Sequence, residues 1–113
     1  SDTPPRPFPL RQAMIAEMDQ FENNQAWPLK PQKIIWDLRT ALDKDAITIC
    51  DVGAHKMWMA RFFRAEQPNT CIISNGFASM GIALPGAIGA KLAHPDKAVV
   101  AVTGDAGLLM NIQ

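Results

Sequence analysis

The sequence predicts an α/β fold in three layers, with helices on both faces of a parallel sheet. Three segments support this prediction: 46–53 (AITICDVG), 70–76 (TCIISNG) and 98–104 (AVVAVTG). Each is an apolar run that ends in glycine, and each is followed by a segment that can form a helix. Strands without a polar face that alternate with helices are typical of a parallel sheet buried on both sides.

Two helices are predicted before the first strand. The first covers 10–21, where four apolar residues recur at helical spacing: Met14, Ile15, Met18 and Phe21. The second begins at Pro31, because proline suits the first turn of a helix. Its apolar stripe consists of Ile34, Ile35, Leu38 and Leu42.

Each strand is followed by a predicted helix, over 55–63, over 80–93 and from Gly107 onward. The first of these carries four large apolar residues that we expect in the core: Met57, Trp58, Phe62 and Phe63. The second is rich in glycine and alanine, so its backbone can lie close to the sheet.

The chain divides into two regions. Residues 1–30 are predicted to be a proline-rich linker with one helix, because four of the nine prolines lie within the first nine residues. Residues 31–113 are predicted to be a single domain, since a chain of this size supports one hydrophobic core.

The composition argues against several kinds of partner. Eleven basic and eleven acidic residues cancel without a run of like charge, so we expect neither nucleic acid nor a membrane as a partner. No stretch approaches the roughly 20 apolar residues of a membrane span, and the first ten residues lack the apolar core of a secretory signal. Cys50 and Cys71 lie in apolar runs, where a thiol packs as a small hydrophobe. We therefore expect reduced cysteines and a cytoplasmic protein.

Polar and glycine-containing segments follow all three predicted strands and form the candidate site. Ligands of parallel sheets bind outside the carboxyl ends of the strands, so 53–55, 75–80 and 104–107 should lie along one edge. The last of these begins a helix directly after a strand, where unpaired N–H groups attract an anion such as phosphate. Asp105 would repel that phosphate unless a divalent cation lay between them, as Mg²⁺ does with carboxylate and phosphate oxygens. The alternative is that Asp105 only caps the helix, and the spacing leaves both interpretations open.

Three motifs occur in order across most of the chain: DVGAHKMWMARFF (51–63), SNGFASMGIALPGAIGAKLAHPDK (74–97) and VVAVTGDAGLLMN (99–111). Together they make the segment from about Pro31 to Gln113 resemble the diphosphate-binding domain of thiamine-diphosphate-dependent enzymes, most closely the acetolactate synthase group. The resemblance implies the thiamine-diphosphate-binding fold. It also implies an asparagine metal ligand further along than Gln113, so we expect residues 31–113 to be a partial domain, incomplete at the C-terminal end.

The resemblance implies roles for individual residues. Asp105 corresponds to the family's metal ligand, and the backbone around it would hold the diphosphate, through Gly104, Ala106 and Gly107. Ala106 replaces the second glycine of the family's Gly-Asp-Gly motif, which is harmless if its φ is negative.

Two further segments would contact the same cofactor. His55 corresponds to a histidine that reaches the diphosphate, although a lone histidine at a strand end is more often a surface or capping residue. The segment Ser79, Met80 and Gly81 would lie against the aminopyrimidine, with the Met80 side chain supporting the bent shape of the cofactor. Without the resemblance, Met80 would be interpreted as a core residue at a helix start.

The implied cofactors are thiamine diphosphate and Mg²⁺, and the presence of FAD in the parent enzyme is left open. The implied reaction is decarboxylation of pyruvate or another 2-keto acid, followed by carboligation, as in branched-chain amino acid biosynthesis. The activating glutamate of the family comes from a different domain, so no catalytic residue is assigned here and the isolated chain is expected to be inactive. The resemblance also implies a homo-oligomer, at least a dimer, and leaves a regulatory subunit open.

Three alternatives are weighed against this interpretation. The chain could belong to another 2-keto-acid or acyl-CoA decarboxylase of the same family. It could be a Rossmann-like phosphate-binding module, but neither G-x-G-x-x-G nor G-x-x-x-x-G-K-[ST] is present. It could also be a non-catalytic interaction module.

Overall fold

A computed structural model describes residues 8–113, so the first seven residues of the predicted linker lie outside the described residues. The elements in chain order are α1 (Pro9–Asp19), α2 (Pro31–Ala41), β1 (Ile47–Cys50), α3 (Ala54–Phe62), β2 (Cys71–Ile73), α4 (Ala83–Ala93), β3 (Val99–Val102) and α5 (Asp105–Leu109). Both α1 and α2 carry proline in their first turn, where the missing N–H would have had no partner.

The three strands form one parallel sheet in the order β2-β1-β3. β1 is central, with Cys50 beside Ile73 on one side and beside Val102 on the other. All four residues of β1 are buried, as expected of a strand covered on both faces.

Side chains of β1 alternate between two separate apolar clusters. On one face, Cys50 packs with Ile35 of α2, Met59 of α3 and Phe63. On the other face, Ile47 and Ile49 pack with Ala83 and its partly buried neighbours in α4 and β3. The predicted α/β fold, with helices on both faces of a parallel sheet, is therefore confirmed.

The backbone of α4 lies close to the sheet, as its glycine and alanine content predicts. A Cβ added at Gly86 would lie 3.4 Å from Ile49 Cγ2, which is ordinary van der Waals contact. Small residues on this face of α4, including Ala87 and Ala90, complete the cluster around Ile49.

Two details of the predicted helices are wrong. The helix predicted from Met80 begins at Ala83, because Gly81 has a φ of +88° and cannot belong to an α-helix. Met57, predicted in the core, is 71% exposed, whereas Met59 is 1% exposed and forms the centre of the cluster. Apolar residues lie on several faces of α3, more than can be buried at once. The spacing of these residues therefore did not identify which methionine is buried.

The helix of the predicted linker packs against the domain. Glu17 of α1 forms an ion pair with Arg61 of α3, and the rings of Phe21 and Phe62 meet edge to face at 5.6 Å. The boundary predicted between residues 30 and 31 stays a prediction, but α1 contacts α2 and α3.

Candidate functional site

The carboxyl ends of β1, β2 and β3 lie side by side and lead into the three predicted site segments. The connection after β1 passes through α3 on one face, whereas the connection after β2 passes through α4 on the other. The chain runs from β1 to β2 on one side and returns to β3 on the other, and the junction between β1 and β3 is the place where such parallel sheets usually bind ligands.

Asp51, directly after β1, is the most deeply buried acidic residue at this edge, with 1% of its surface exposed. Its Oδ1 accepts hydrogen bonds from the backbone N–H groups of Val52 (2.7 Å) and Gly81 (2.9 Å). Its Oδ2 accepts one from the N–H of Ala83 at 3.1 Å. Burial raises the pKa of the Asp51 carboxyl, but these N–H donors and nearby His55 outweigh it, so the pKa lies below its ordinary value.

Two glycines allow other segments to approach Asp51 closely. A Cβ at Gly107 would lie 2.9 Å from Thr103 Oγ1 and 3.1 Å from Asp51 Cγ. A Cβ at Gly81 would lie 2.3 Å from Asn111 Nδ2, which itself donates a 2.7 Å hydrogen bond to the Gly81 carbonyl. Both glycines were predicted to bind cofactor, and in the structure both are buried around Asp51.

His55 lies between the ends of β1 and β3. A Cβ at Gly53 would lie 2.7 Å from His55 Cε1, and a Cβ at Gly104 would lie 3.5 Å from the same atom. Gly53 has a φ of +152°, which a residue with a side chain rarely adopts. The His55 Nε2 atom is buried and has no hydrogen-bond partner among the described residues. A buried donor or acceptor of this kind needs a partner, and a bound ligand can supply one.

Asp105 is exposed and is the first residue of α5, next to Gly104 at the N-cap position. Its Oδ1 accepts a hydrogen bond from the N–H of Ala106 at 2.8 Å. Gly104 and not Asp105 occupies the N-cap position, which has no side-chain capping hydrogen bond, so Asp105 satisfies one helix-start donor from within the first turn. Ala106 lies within the helix and is not among the described non-glycine residues of positive φ, so replacing the family's glycine causes no strain there.

The segment between β2 and α4 has an unusual backbone. Gly76, Ala78 and Gly81 all have positive φ, at 75°, 45° and 88°. Ser79 is exposed, and Met80 is 44% exposed in the turn before α4. Met80 is therefore neither in the helix nor in the core, which removes the alternative that it is a core residue at a helix start.

Lys56 of α3 holds the other end of this segment. Its Nζ donates a 2.6 Å hydrogen bond to the carbonyl of Ser74, directly after β2. Lys56 therefore fixes the start of this segment through a main-chain atom.

Both cysteines are free thiols, and Cys50 ends β1 at this edge, whereas Cys71 begins β2. Burial, together with the neighbouring Cys71 and Asp51, raises the pKa of the Cys50 thiol to about 11. Burial also raises the pKa of Cys71, against a hydrogen bond from Thr48. Both thiols are therefore protonated near neutral pH and are poor metal ligands and poor nucleophiles.

Residues 8–113 contain neither a cluster of metal-ligating side chains nor a membrane-spanning helix. No group of three or more His, Cys, Asp or Glu side chains is arranged to hold a metal ion in this part of the chain. Within the same residues, the helices are too short or too polar to cross a membrane.

The structure thus brings His55, Gly104, Asp105 and Ala106 together where β1 and β3 end and links Gly81 to Gly107 through Asp51. Sequence reasoning missed Asp51 and Asn111. Asp51 carried a readable signal, because it is the single charged residue at the end of an otherwise apolar strand. No comparable sequence signal pointed to Asn111, since its contact with Gly81 spans 30 residues.

Comparison with known proteins agrees with this architecture. Residues 51–113 match the family model described as "Thiamine pyrophosphate enzyme, C-terminal TPP binding domain". The chain is 44% identical over 109 residues to a probable acetolactate synthase large subunit of Methanococcus aeolicus, covering 92% of this chain and 18% of that protein. It is 47% identical over 91 residues to acetolactate synthase of Bacillus subtilis, covering 80% and 15%.

A third relative, the acetolactate synthase isozyme 1 large subunit of Escherichia coli, is 42% identical over 86 residues, covering 76% of this chain and 15% of that protein. The chain thus spans less than a fifth of the length of the relatives it matches. The resemblance inferred from the three motifs is confirmed. This chain belongs to the thiamine-pyrophosphate enzyme family, in the C-terminal cofactor-binding domain, and is similar there to acetolactate synthase large subunits.

Proposed function

We propose that this chain forms the diphosphate side of the cofactor site in an acetolactate-synthase-like enzyme that depends on thiamine diphosphate and Mg²⁺. The observation that carries this proposal is the grouping of His55, Gly104 and Asp105 where β1 and β3 end. The substrate would be pyruvate or another 2-keto acid, which the whole enzyme would decarboxylate and join to a second keto acid. Another 2-keto-acid or acyl-CoA decarboxylase of the same family remains the alternative.

The residues present fit a diphosphate bridged by a divalent cation. Asp105 offers an exposed carboxylate at the start of α5, and Mg²⁺ typically takes one or two protein carboxylates and completes its shell with phosphate and water oxygens. A cluster of three acidic or histidine ligands is therefore unnecessary. Gly104 and Ala106 have no bulky side chain to keep phosphate oxygens from their main chain, and His55 Nε2 supplies a buried polar atom in need of a partner.

The remaining predicted contacts belong to the aminopyrimidine side. Ser79 and Met80 are exposed beside Gly81, so their side chains are accessible to a cofactor. Gly81 and Gly107 are buried around Asp51, and we assign them to shaping the site rather than to direct contact.

The cofactor, when bound, supplies the carbanion chemistry by acting as an electron sink. The residues of this chain would bind and orient it. Among the three described glutamates, Glu17 pairs with Arg61 in the helical layer, Glu22 lies in the turn after α1, and Glu66 lies near Lys44 and Arg64 in a loop. None lies at the strand ends, so we assign no proton-transfer residue and propose that the chain alone is inactive. A homo-oligomer, a regulatory subunit, bound FAD and a cytoplasmic location stay predictions.

The test is calorimetric titration with thiamine diphosphate, with and without Mg²⁺, on the unsubstituted protein, Asp105→Asn and Asp96→Asn. Asp96 is an exposed aspartate in the turn between α4 and β3, so its substitution makes the same charge change away from the site. We expect Mg²⁺-dependent binding that Asp105→Asn weakens strongly and Asp96→Asn leaves unchanged. Equal affinity and equal Mg²⁺ dependence in all three proteins would contradict the proposal.

A further inference from the structure

We propose that Asp51 and Asn111 are positioning residues that hold Gly81 from opposite sides, and thereby fix the Met80 segment relative to the start of α5. This inference rests on the proposed function, because it concerns the two segments assigned to the aminopyrimidine and to the metal and diphosphate. Neither residue is expected to touch the cofactor.

The carboxylate of Asp51 is buried without a salt bridge, since none of the ion pairs in the described part of the chain includes it. A buried charge is costly unless hydrogen bonds replace its water, and here backbone N–H groups do so. Two of the three donors, Gly81 and Ala83, lie 30 and 32 residues away in sequence. The side chain therefore joins the end of the central strand to the segment that precedes α4.

The bond to Ala83 satisfies the first N–H group of α4. The N-cap residue of this helix, Ile82, has no side-chain oxygen and makes no capping hydrogen bond. Helix starts leave such N–H groups without a partner inside the helix. Asp51 thus does from a distance what a capping side chain does locally.

The bond to Gly81 orients the peptide unit that joins Met80 to Gly81, because the donated N–H belongs to that unit. The carbonyl of Gly81 is held separately by Asn111 Nδ2 at the end of α5. The positive φ of Gly81 brings its N–H and C=O groups to these two partners. Met80 is consequently anchored through the main chain, while its own side chain stays 44% exposed.

The side chains of Asp51 and Asn111 also connect Gly81 to α5. Gly107 lies against Asp51, where a Cβ would come within 3.2 Å of Oδ2. Asn111 follows the same helix and reaches Gly81 directly. Asp105 begins α5, so the position of the proposed metal ligand and the position of Met80 depend on one set of contacts.

The experiment compares Asp51→Asn with Thr48→Val. Thr48 lies in β1 three residues before Asp51, is fully buried, and donates one hydrogen bond to the carbonyl of Thr70, directly before β2 and away from the site. Both substitutions nearly preserve shape and perturb buried hydrogen bonding. Unfolding free energy, thiamine diphosphate affinity at saturating Mg²⁺, and amide hydrogen exchange at Gly81 and Ala83 are measured on each protein.

We expect Asp51→Asn to weaken cofactor binding by about tenfold or more, since bonds to a charged acceptor are lost. Exchange at Gly81 and Ala83 should become faster. Thr48→Val should change affinity by less than about twofold at a comparable loss of stability, because its hydrogen bond lies away from the site. Equal effects of the two variants on affinity, or unchanged exchange at Gly81 in Asp51→Asn, would overturn the inference.

Asn111→Ala provides a second variant, because Asn111 is exposed and its loss is compatible with folding. Removing one neutral hydrogen bond should weaken binding by about threefold. If Asp51→Asn does not fold, unchanged affinity in Asn111→Ala overturns the inference. If the unsubstituted protein does not bind thiamine diphosphate, the proposed function fails. The exchange rate of the Gly81 amide then tests by itself whether Asp51 and Asn111 hold Gly81 in position.

Discussion

Replacing Gly107 with alanine should destabilise the protein, although the same change within a helix ordinarily stabilises it. Alanine is favoured over glycine in helices by about 0.5 to 1 kcal/mol, because glycine loses more backbone freedom on folding. At Gly107, however, the added Cβ would lie 2.9 Å from Thr103 Oγ1 and 3.1 Å from Asp51 Cγ. The first distance is shorter than real Cβ contacts, so a neighbour must move.

Neither neighbour can move freely, since Thr103 Oγ1 donates a 3.0 Å hydrogen bond to the Gly104 carbonyl. Asp51 is held by three backbone N–H groups, and shifting it would weaken at least one bond to a buried charge, worth about 1.5 to 3 kcal/mol. After subtraction of the helix preference, we expect a net loss of about 0.5 to 2.5 kcal/mol.

Gly89→Ala is the matched control. Gly89 lies in the middle of α4, and a Cβ there would meet nothing within 4 Å. It should gain the full helix preference of about 0.5 to 1 kcal/mol. The two substitutions are chemically identical and are predicted to change the free energy of unfolding in opposite directions.

The assay is equilibrium unfolding in urea, followed by circular dichroism, with the slopes compared to ensure that unfolding exposes the same surface. If Gly107→Ala stabilised the protein as Gly89→Ala does, the close packing of α5 on Asp51 would be refuted, together with the argument that it restrains the site.

Three further predictions follow from individual residues. Ala78 has a φ of +45°, which costs a side-chain-bearing residue about 1 to 2 kcal/mol, so Ala78→Gly should raise the unfolding free energy despite the flexibility of glycine; no change in urea midpoint would contradict this. The lowered pKa of Asp51 stabilises the folded state above the ordinary carboxyl value, and this contribution is lost as the pH falls through the folded-state pKa. The free energy of unfolding should therefore fall less steeply with decreasing pH in Asp51→Asn than in the unsubstituted protein. Parallel curves for the two proteins would contradict the lowered pKa of Asp51. Because the pKa of Cys50 is raised to about 11, its thiol should resist iodoacetamide in the folded protein at pH 8 and react in urea. The contribution of Cys50 to the free energy of unfolding should be lost as the pH rises from 9 toward 11. Rapid labelling of Cys50 in the folded protein would argue against its burial.

The sheet was predictable because β1 and β3 are short apolar runs that end at polar or glycine residues. β1 is fully buried and β3 is partly buried, and such strands leave a clear signal in the sequence. The start of α4 was not predictable in the same way, since Met80, Gly81 and Ile82 are compatible with helical spacing. Gly81 departs from the helix because its N–H and C=O groups have partners far along the chain.

The candidate site was predictable to a similar extent. Asp105 and His55 were identified because their motifs are local and occur in a fixed order. The buried environment of Asp51 depends on three segments folding together, and spacing alone does not report such an arrangement. Lys56 illustrates the same limit, because its partner is a backbone carbonyl, which any residue could have supplied.

The segment between β2 and α4 is fastened at both ends through main-chain atoms, at the Ser74 carbonyl and at Gly81. The exposed side chains between these attachments, Phe77, Ser79 and Met80, do not take part in them. Libraries randomised at these three positions should therefore retain the loop's path while varying the surface it offers. Any change in cofactor binding within such a library would then reflect the side chains themselves and not a displaced backbone.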